Sequence, residues 1–436
     1  MDQLSPSVPQ VSPAVLGGAG LPSDASPGTA LLPLETSASG ALLLGPYPTK
    51  EAYMKRFQAL KQNTETLEKA GYVMRVLTEK DLGQKRKCLR CHKFLVKKPF
   101  KVNRERKPRP GSVSSGMPEI DRVLGGVAIS SPPAAISSKT FPSDRNSAKE
   151  PKQDCKYHDG TFNGRIWSCC RTGVYNTPCK TSAEHLAAVY QPGELEQLYR
   201  FYSTPTAPHS QPRRLAVAID CEMGTSITNS PVLIRVTLID YFTSKVLIDK
   251  LVFPDEPVLH YNTRFSGVTY AQMAKARSRG ECLYGTAAAR NAIWKFVGPD
   301  TIVVAHSGNN DMSVLRWIHG SIVDTFLVES LPVVKLQKEA REEEIREKQA
   351  REEAGMVTGP SEKKQQSSNP GQPTGEPKKK RPKGSGQFSL KTLARERLGR
   401  DIQMGKGGHD SIEDAIAARD IAAWNVLNFG RVVYTV

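Results

Sequence analysis

The interpretation of this chain begins at Arg214-Leu-Ala-Val-Ala-Ile-Asp-Cys-Glu-Met223. Large and small apolar residues alternate in its first half, a pattern typical of a short strand buried on both faces in the middle of a sheet. Two acids, Asp220 and Glu222, follow at the end of that strand. Because positions i and i+2 of a strand point to the same side, the two carboxylates lie side by side and repel each other. A divalent cation that prefers oxygen ligands, Mg²⁺ or Mn²⁺, would relieve that repulsion.

An Asp-x-Glu tripeptide alone is weak evidence, because most such acids are solvated residues of loops. Asp311 lies at the predicted start of a helix that follows a short buried strand, where an acid also complements the helix N-terminus. His409 and Asp414 lie in Gly407-Gly-His-Asp-Ser-Ile-Glu-Asp414, a glycine-hinged loop that opens the last predicted helix. Ser411 and Asp414 also fit a capping box. The joint occurrence of these residues, in this order, predicts a catalytic centre of four carboxylates and one histidine.

The strands around this stretch predict an α/β domain with a mixed sheet and flanking helices. Three alternating, β-branched segments follow one another closely, as in an antiparallel meander: 215–220, 232–240 and 246–253. Helical patterns then alternate with predicted strands at 301–305 and 322–326, and one helix is predicted at about 310–318. Two further helices are predicted at about 390–398 and 411–427.

The charge balance favours an anionic partner. The 436 residues carry 61 Lys and Arg against 44 Asp and Glu, a formal net charge of +17, and nucleic acid is the first candidate for such a chain. No apolar run has the length of a transmembrane helix, and the first residues lack the layout of a signal peptide. We therefore expect an intracellular protein without a membrane partner, whose eight cysteines are reduced or metal-bound.

Composition divides the chain into three parts. Residues 1–46, rich in Pro, Ser, Ala and Gly, are predicted to form a disordered tail. Residues 47–203 are predicted to hold a helical segment and a zinc module, with a disordered insertion at about 97–152. Residues 213–436 form the α/β domain.

The α/β domain is itself interrupted. A disordered basic insertion is predicted at about 335–386, although its first half, Leu336–Glu353, is charged enough to fit a solvated helix. The second half contains Pro377-Lys-Lys-Lys-Arg-Pro-Lys383, which fits a nuclear-import signal, a nucleic-acid contact or a solubilising tract.

Six cysteines and two histidines cluster before the α/β domain. Cys-x2-Cys and Cys-x2-His spacings let one turn present two ligands to one ion, and eight ligands fill two tetrahedral sites. We therefore predict two structural Zn²⁺, without a prediction of which ligands share an ion, and His92 is a rival ligand. The eight predicted ligands are Cys88, Cys91, Cys155, His158, Cys169, Cys170, Cys179 and His185.

The segment from Cys155 to Cys170 resembles the zinc modules called CHORD domains, which share its Cys-x-Tyr-His turn, its Trp-Ser-Cys-Cys element and a later Cys and His. The first cysteine pair, Cys88 and Cys91, lies unusually far upstream for that pattern. Because protein fills all the ligand positions of such a site, the module is expected to be structural or a binding platform, with a protein partner as one candidate occupant of its surface.

The α/β domain resembles the DEDDh 3′–5′ exonucleases of the ribonuclease H-like superfamily. Asp220 and Glu222 match the first motif, Asp311 the second, and His409 with Asp414 the third. Four stretches are closer still to the eukaryotic REX-type RNA exonucleases: Val217-Ala-Ile-Asp-Cys-Glu-Met223, Tyr261-Asn-Thr-Arg-Phe-Ser-Gly-Val268, Ile322-Val-Asp-Thr325 and Gly408-His-Asp-Ser-Ile-Glu-Asp414. This sequence departs from the pattern of that family in the long insertion between Phe326 and Phe388.

The resemblance implies hydrolysis of RNA from single-stranded 3′ ends, with release of nucleoside 5′-monophosphates. Two Mg²⁺ or Mn²⁺ would activate a water and neutralise the scissile phosphate. Asp220 would bridge both ions, Glu222 and Asp414 would hold the water-bearing ion, and Asp311 would serve the other. His409 is the expected general base. Met223 and Phe265 are candidates for contacting the terminal nucleotide.

Two alternatives stay open. The motifs recognise metal and phosphate rather than the sugar, so a DNA 3′–5′ exonuclease also fits them. A catalytically weak, zinc-dependent nucleic-acid-binding scaffold is the alternative from another class, and the complete set of five residues argues against it. For the exoribonuclease we expect a role in RNA 3′-end processing, such as rRNA processing, or in RNA degradation. The expected compartment is the nucleus, with the cytoplasm as a second one.

Overall fold

The computed structural model describes residues 30–96, 155–206, 213–353, 386–405 and 407–432. The insertion predicted at 97–152 and the basic run Pro377–Lys383 lie outside these ranges. The strands are β1 (Cys155–Tyr157), β2 (Lys180–Ser182), β3 (Tyr202–Ser203), β4 (Ala216–Ser226), β5 (Pro231–Asp240), β6 (Val246–Phe253), β7 (Val258–His260), β8 (Leu283–Tyr284), β9 (Ile302–Ala305), β10 (Trp317–Ile318) and β11 (Ile322–Asp324). The helices are α1 (Lys50–Ala59), α2 (Thr64–Lys69), α3 (Glu79–Gly83), α4 (Glu194–Leu198), α5 (Thr263–Ser266), α6 (Tyr270–Ser278), α7 (Gly285–Trp294), α8 (Asn309–Val314), α9 (Thr325–Glu353), α10 (Leu390–Leu398) and α11 (Ser411–Leu427).

A mixed sheet in the order β11-β9-β4-β5-β6-β8 forms the centre, with β7 paired to the far end of β4. β4, β5 and β6 are an antiparallel meander, whereas β9 and β11 run parallel to β4 and to each other. The predicted α/β fold with a mixed sheet and flanking helices is confirmed. β4 is longer than predicted, because its pairing with β5 continues past the two acids and shifts register between Glu222 and Met223.

Alternation along β4 directs its residues to two cores. Ala216 and Ala218 belong to the core under α11 and α10, whereas Val217 and Ile219 belong to the core under α7 and α8. By the same alternation, Asp220 and Glu222 continue the row that faces α11. The small side chains of β4 on that side let α11 pack closely over the strand, and the first turn of α11 therefore lies near the two acids.

The N-terminal part of the described chain corrects two predictions. Residues 30–46, predicted to be disordered, lie against the C-terminal end of α11: Leu42 is buried, the Leu32 N–H donates to Asn428 Oδ1 at 2.7 Å, and Asn428 Nδ2 donates to the Leu32 carbonyl at 3.0 Å. Leucines spaced through this weakly charged stretch cover the apolar face of the last helix, and composition alone did not reveal that match.

The helical segment from residue 47 belongs with the α/β domain and not with the zinc module to which we assigned it. Tyr53 and Phe57 of α1 are buried against Tyr241 at the end of β5, and the rings of Phe57 and Tyr241 stack at 4.3 Å. Leu67 and Tyr72, around α2, are buried in the core on the opposite face of the sheet. The segment therefore packs on both faces of the sheet.

Three further boundaries differ from prediction. The helix predicted at 310–318 ends at Val314, and β10 follows it. The strand predicted at 322–326 ends at Asp324, because α9 begins at Thr325. α9 runs to Glu353, so the solvated helix that fitted Leu336–Glu353, and not disorder, is found in this part of the insertion. The helix is largely exposed there and carries i,i+4 ion pairs such as Lys335 with Glu339. In the described ranges we find no helix with the length and apolar character of a membrane span.

Candidate active site and metal centres

The four predicted acids converge from three separate segments. Asp220 and Glu222 come from β4, Asp311 from the first turn of α8, and Asp414 from the first turn of α11. Glu222, Asp311 and Asp414 are buried, while Asp220 keeps part of its surface accessible. An acid in the first turn of a helix interacts favourably with the helix dipole even when it is exposed. The burial of Asp311 and Asp414 therefore indicates a different role.

Burial and neighbouring carboxylates together determine the electrostatics of these acids. Burial raises the pKa of Asp220, and the nearby charges of Asp311, Asp414 and Glu222 raise it further. Burial likewise raises the pKa of Glu222 to about 8, against the opposing influence of His409. Burial and the charge of Asp324 raise the pKa of Asp311 to about 8. The site therefore concentrates negative charge that His409 and Arg235 offset only in part.

His409 lies over Asp414. The N-cap of α11 is Asp410, whose side chain accepts from the Ile412 N–H, so Asp414 is not consumed by a capping box with Ser411. The Nδ1 atom of His409 lies 3.4 Å from Asp414 Oδ2, and this hydrogen bond raises the histidine pKa. The imidazole is 42% exposed, so the ring is accessible from solvent while Nδ1 faces Asp414.

A close backbone contact fixes the loop that carries His409. The His409 N–H donates to the Phe265 carbonyl of α5 at 2.6 Å. Gly408 has a φ of +95°, and a Cβ atom there would lie 2.3 Å from the backbone nitrogen of Gly267. Only glycine fits this approach. The Tyr261–Val268 stretch singled out in the sequence is therefore the support on which the histidine loop rests.

The two candidate nucleotide-contacting residues border the same site. Met223 follows Glu222 directly, is half-buried, and its carbonyl accepts from Asn262 Nδ2 at 3.0 Å. Phe265 is 62% exposed and precedes the glycine contact that supports His409. Both positions fit contact with a terminal nucleotide, and that role stays a prediction.

Sequence reasoning missed two residues of the site. Gln403 donates from Nε2 to both carboxylate oxygens of Asp414 at 3.0 Å; it lies in an irregular loop at a φ of +57°, and no sequence pattern indicates it. Asp324, at the end of β11, accepts from the Tyr72 hydroxyl at 2.6 Å and from the Ser307 N–H at 2.9 Å. The quoted Ile322-Val-Asp-Thr325 stretch contained Asp324, but nothing distinguished it from a strand-end acid.

The donor set fits hard divalent cations. Four carboxylates offer the oxygen ligands that Mg²⁺ and Mn²⁺ prefer. The raised pKa values of Asp220, Glu222 and Asp311 reflect burial and neighbouring negative charge, which a cation would offset. In the part of the chain that the structure describes, these acids do not reach the mutual spacing of 4.8 Å found in the cysteine groups described next. Ligands spread around two ions about 3.5–4 Å apart do not need that spacing.

The eight predicted zinc ligands form two groups of four. One group is Cys88, Cys91, Cys155 and His185, and the other is His158, Cys169, Cys170 and Cys179; within each group, all ligand atoms lie within 4.8 Å of one another. His92, the rival ligand, belongs to neither group. The upstream pair Cys88 and Cys91 therefore joins the module across the insertion, although the sequence left the pairing open.

The distances within both groups suit tetrahedral coordination. Zn–S bonds of about 2.3 Å place two sulfur ligands about 3.8 Å apart. The Cys88 and Cys155 sulfurs lie 3.8 Å apart, and those of Cys169 and Cys179 lie 3.5 Å apart. Burial and the two neighbouring thiols of Cys88 and Cys91 raise the pKa of Cys155 to about 12, because the three sulfurs lie close together. Zinc fits both groups.

Comparison with known proteins agrees with the predicted resemblance. RNA exonuclease 3 of Candida albicans is 28% identical over 275 residues, 62% of this chain and 54% of that protein. RNA exonuclease 3 of Emericella nidulans is 26% identical over 296 residues, 62% of this chain and 38% of that protein. The human RNA exonuclease 1 homolog is 30% identical over 182 residues, 40% of this chain and 14% of that protein. The chain thus spans about half, or less, of the curated relatives it matches.

No family model matches the chain. The solved structure of the Neurospora crassa Pan2 catalytic unit matches with a TM-score of 0.31 and 18% identity, over 51% of this chain and 29% of that one, a likeness too distant to support an inference. The similarity to REX-type RNA exonucleases predicted from the motifs is confirmed by the curated relatives. The CHORD-like character of the zinc module stays a prediction.

Proposed function

We propose that the protein is a 3′–5′ exoribonuclease that hydrolyses single-stranded RNA from its 3′ end to nucleoside 5′-monophosphates. One observation carries the proposal: carboxylates from three segments converge on Asp220, with His409 hydrogen-bonded to one of them, Asp414. The similarity to proteins named RNA exonucleases supports RNA as the substrate. The direction of hydrolysis rests on the match of the five residues to the DEDDh pattern.

His409 is the base in this proposal. When neutral, it donates from Nδ1 to Asp414, so that Nε2 accepts a proton from the attacking water. Asp414 holds the ring in place and stabilises the imidazolium that forms, while Gln403 holds both oxygens of Asp414. The contact between Gly408 and Gly267 keeps this loop against α5, and Phe265 and Met223 contact the nucleotide beside it.

Asp220, Glu222, Asp311 and Asp414 would hold the cations. Two Mg²⁺ or Mn²⁺ bound there supply charge neutralisation on the scissile phosphate and stabilisation of the leaving oxygen. Mg²⁺ is the first choice, because four carboxylate ligands without nitrogen or sulfur suit a hard ion.

A directional assay tests the proposal. RNA and DNA of one sequence carry a 5′ label and end in either a free or a blocked 3′ hydroxyl, and each is incubated with the protein and Mg²⁺. We expect a ladder that shortens from the 3′ end of the free RNA only, with nucleoside 5′-monophosphates as products, and no ladder with Asp220→Asn. Immediate release of the 5′ label contradicts the direction. Preferred degradation of the DNA favours the DNA exonuclease, and no hydrolysis of either polymer favours the scaffold.

The remaining parts of the proposal concern context. We propose two structural Zn²⁺ in the groups described above, and a role in RNA 3′-end processing, such as rRNA processing, or in RNA degradation. The nucleus is the proposed compartment, supported by the basic run Pro377–Lys383. The compartment is tested by imaging the full chain and a variant in which the lysines and the arginine of that run are replaced by glutamine. Unchanged localisation of the variant would exclude an import role for the run.

A further inference from the structure

A pocket lined by aromatic rings includes Tyr261, at the start of the Tyr261–Val268 stretch that supports the histidine loop, and takes no part in the chemistry above. It has a volume of about 320 Å³ and opens between β6, α6, β8 and the residues that follow β7. Its lining includes Phe253, Tyr261, Tyr270, Met273 and Tyr284. Met273 is fully buried, while Tyr270 is 72% exposed and Tyr284 is 57% exposed. Large aromatic side chains left this open are typical of binding surfaces.

The rings stand as two pairs. Tyr261 and Tyr270 meet edge to face with centroids 6.2 Å apart, and Phe253 and Tyr284 are tilted at 6.3 Å. Arg277 lies over the Phe253 ring at 4.4 Å. The Tyr284 hydroxyl donates to the Arg277 carbonyl at 3.2 Å, which ties β8 to α6. The pocket is therefore held by packed elements, and its aromatic faces are preorganised for a flat, unsaturated ligand.

The same short segment borders the pocket and the active site. Tyr261 lines the pocket, and the next residue, Asn262, donates to the Met223 carbonyl beside Glu222. Four residues after Tyr261, the Phe265 carbonyl accepts from the His409 N–H. A strand of RNA that leaves the active site past Phe265 and Met223 would follow this segment, and the segment leads to the pocket at Tyr261.

The charge of α6 and of the stretch before it suits a polyanion. The twenty residues from Tyr261 to Gly280 contain Arg264, Lys275, Arg277 and Arg279 and no acid. Lys275 and Arg277 are exposed on α6, and Arg279 caps its C-terminal end. Cations beside exposed aromatic rings are the usual means by which a protein holds single-stranded nucleic acid, with phosphates on the cations and bases on the rings.

We propose that this aromatic pocket receives an unpaired base of the RNA strand upstream of the 3′-terminal nucleotide, stacked on Tyr270 and Tyr284, while Arg277 faces the adjoining phosphate. The inference deepens the proposed function and rests on it. It makes affinity depend on RNA length, because a dinucleotide ends before the pocket and a longer strand reaches it. Stacking and charge carry this contact, so it tolerates any base.

Length-dependent kinetics test the inference. The KM for an unstructured oligoadenylate and for an adenylate dinucleotide is measured for Tyr270→Ala, Tyr270→Phe and Arg277→Ala. Lys275→Ala is the matched control, because it removes one exposed charge of α6 outside the pocket lining. We expect Tyr270→Ala to raise the KM of the long RNA about 5–100-fold, at least fivefold more than that of the dinucleotide, and Tyr270→Phe to retain most of the affinity. Arg277→Ala should raise the KM of the long RNA more than Lys275→Ala does.

A second measurement leaves the pocket residues unchanged and therefore does not depend on how the pocket variants fold. Single-stranded RNA with iodouridine at successive positions is photo-crosslinked to the hydrolysis-deficient Asp220→Asn protein, and the modified residue is identified by mass spectrometry. We expect Tyr270 or Tyr284 to be modified from an upstream position. Crosslinks absent from both tyrosines, or equal KM changes for long RNA and dinucleotide, would overturn the inference while the exonuclease stands. If the wild type hydrolyses neither RNA, the proposed function itself fails.

Discussion

Asp220 is an acid whose charge is opposed both by burial and by the nearby charges of Asp311, Asp414 and Glu222. The raised pKa values of Glu222 and Asp311, both about 8, mean that the metal-free folded protein binds more protons than the unfolded chain between about pH 5 and 8. The contribution of these acids to the free energy of unfolding is therefore lost as pH rises through that window. Catalytic charge is held here at the expense of stability.

Asp220→Asn should abolish Mg²⁺-dependent hydrolysis of RNA and raise the Tm of the metal-free protein, most clearly near pH 8, because one repelling charge is gone and the shape is kept. Added Mg²⁺ should raise the Tm of the wild type and have a much smaller effect on the variant. Thermal unfolding at pH 5 and pH 8, with and without Mg²⁺, measures both effects. Asp300→Asn, an exposed acid at the opposite end of β9, is the control, and near-normal turnover by Asp220→Asn would contradict the assignment of the metal ligands.

His409→Ala should lower the turnover of RNA by about 10²–10⁴, the usual contribution of a positioned base, while metal and RNA binding persist. Asp414 raises the pKa of His409 above its ordinary value of 6.5, so the wild-type rate should rise with pH through and beyond that value and level off once the imidazole is neutral. His409→Gln, which keeps a polar side chain without a titrating group, should lose that rise. A variant with full activity, or an unchanged pH profile, would mean that His409 is only a loop residue.

At the scale of elements, α1 is part of the α/β domain although it precedes it by more than a hundred residues. Phe57→Ala should destabilise the protein by about 3–5 kcal/mol, because it empties a fully buried site stacked on Tyr241. Chemical denaturation of the full chain measures the change in the free energy of unfolding. Under native conditions we expect each folded molecule to hydrolyse RNA at nearly the wild-type rate. Val76→Ala, at a position 70% exposed, is the matched control; equal midpoints for the two variants would mean that α1 does not contribute to the core.

What the sequence could and could not predict depends on how local each signal is. The alternation before Asp220 predicted the central strand, and the glycines before His409 predicted an open loop, because both patterns are carried by neighbouring residues. The docking of residues 30–46 was missed because it depends on α11, remote in the chain, while the local composition is typical of disorder. Gln403 was missed for the same reason: only the folded chain brings an ordinary loop glutamine to Asp414.

For the whole molecule, the two cysteine and histidine groups allow a test of ligand pairing. Elemental analysis should find about two zinc ions per chain in the wild type, and Cys88→Ser and Cys170→Ser should each lose one, because each removes a ligand from a different group. The double variant should lose both. Cys282→Ser, a buried cysteine of the α/β domain, should retain two. If either single variant loses both ions, or keeps both, the partition between the groups is wrong.

The docking of residues 30–46 on α11 has a consequence for the chain during its synthesis on the ribosome. The hydrogen bonds between Leu32 and Asn428 join residues 396 positions apart, and α11 also delivers Asp414 to the acids of β4. Contacts of such long range form late and slowly, and a chain emerging from the ribosome cannot make them until its last helix has been synthesised. A nascent chain therefore lacks both a complete core and a complete set of acids. We therefore expect the proposed nuclease to stay inactive on the ribosome until α11 has emerged and packed against β4.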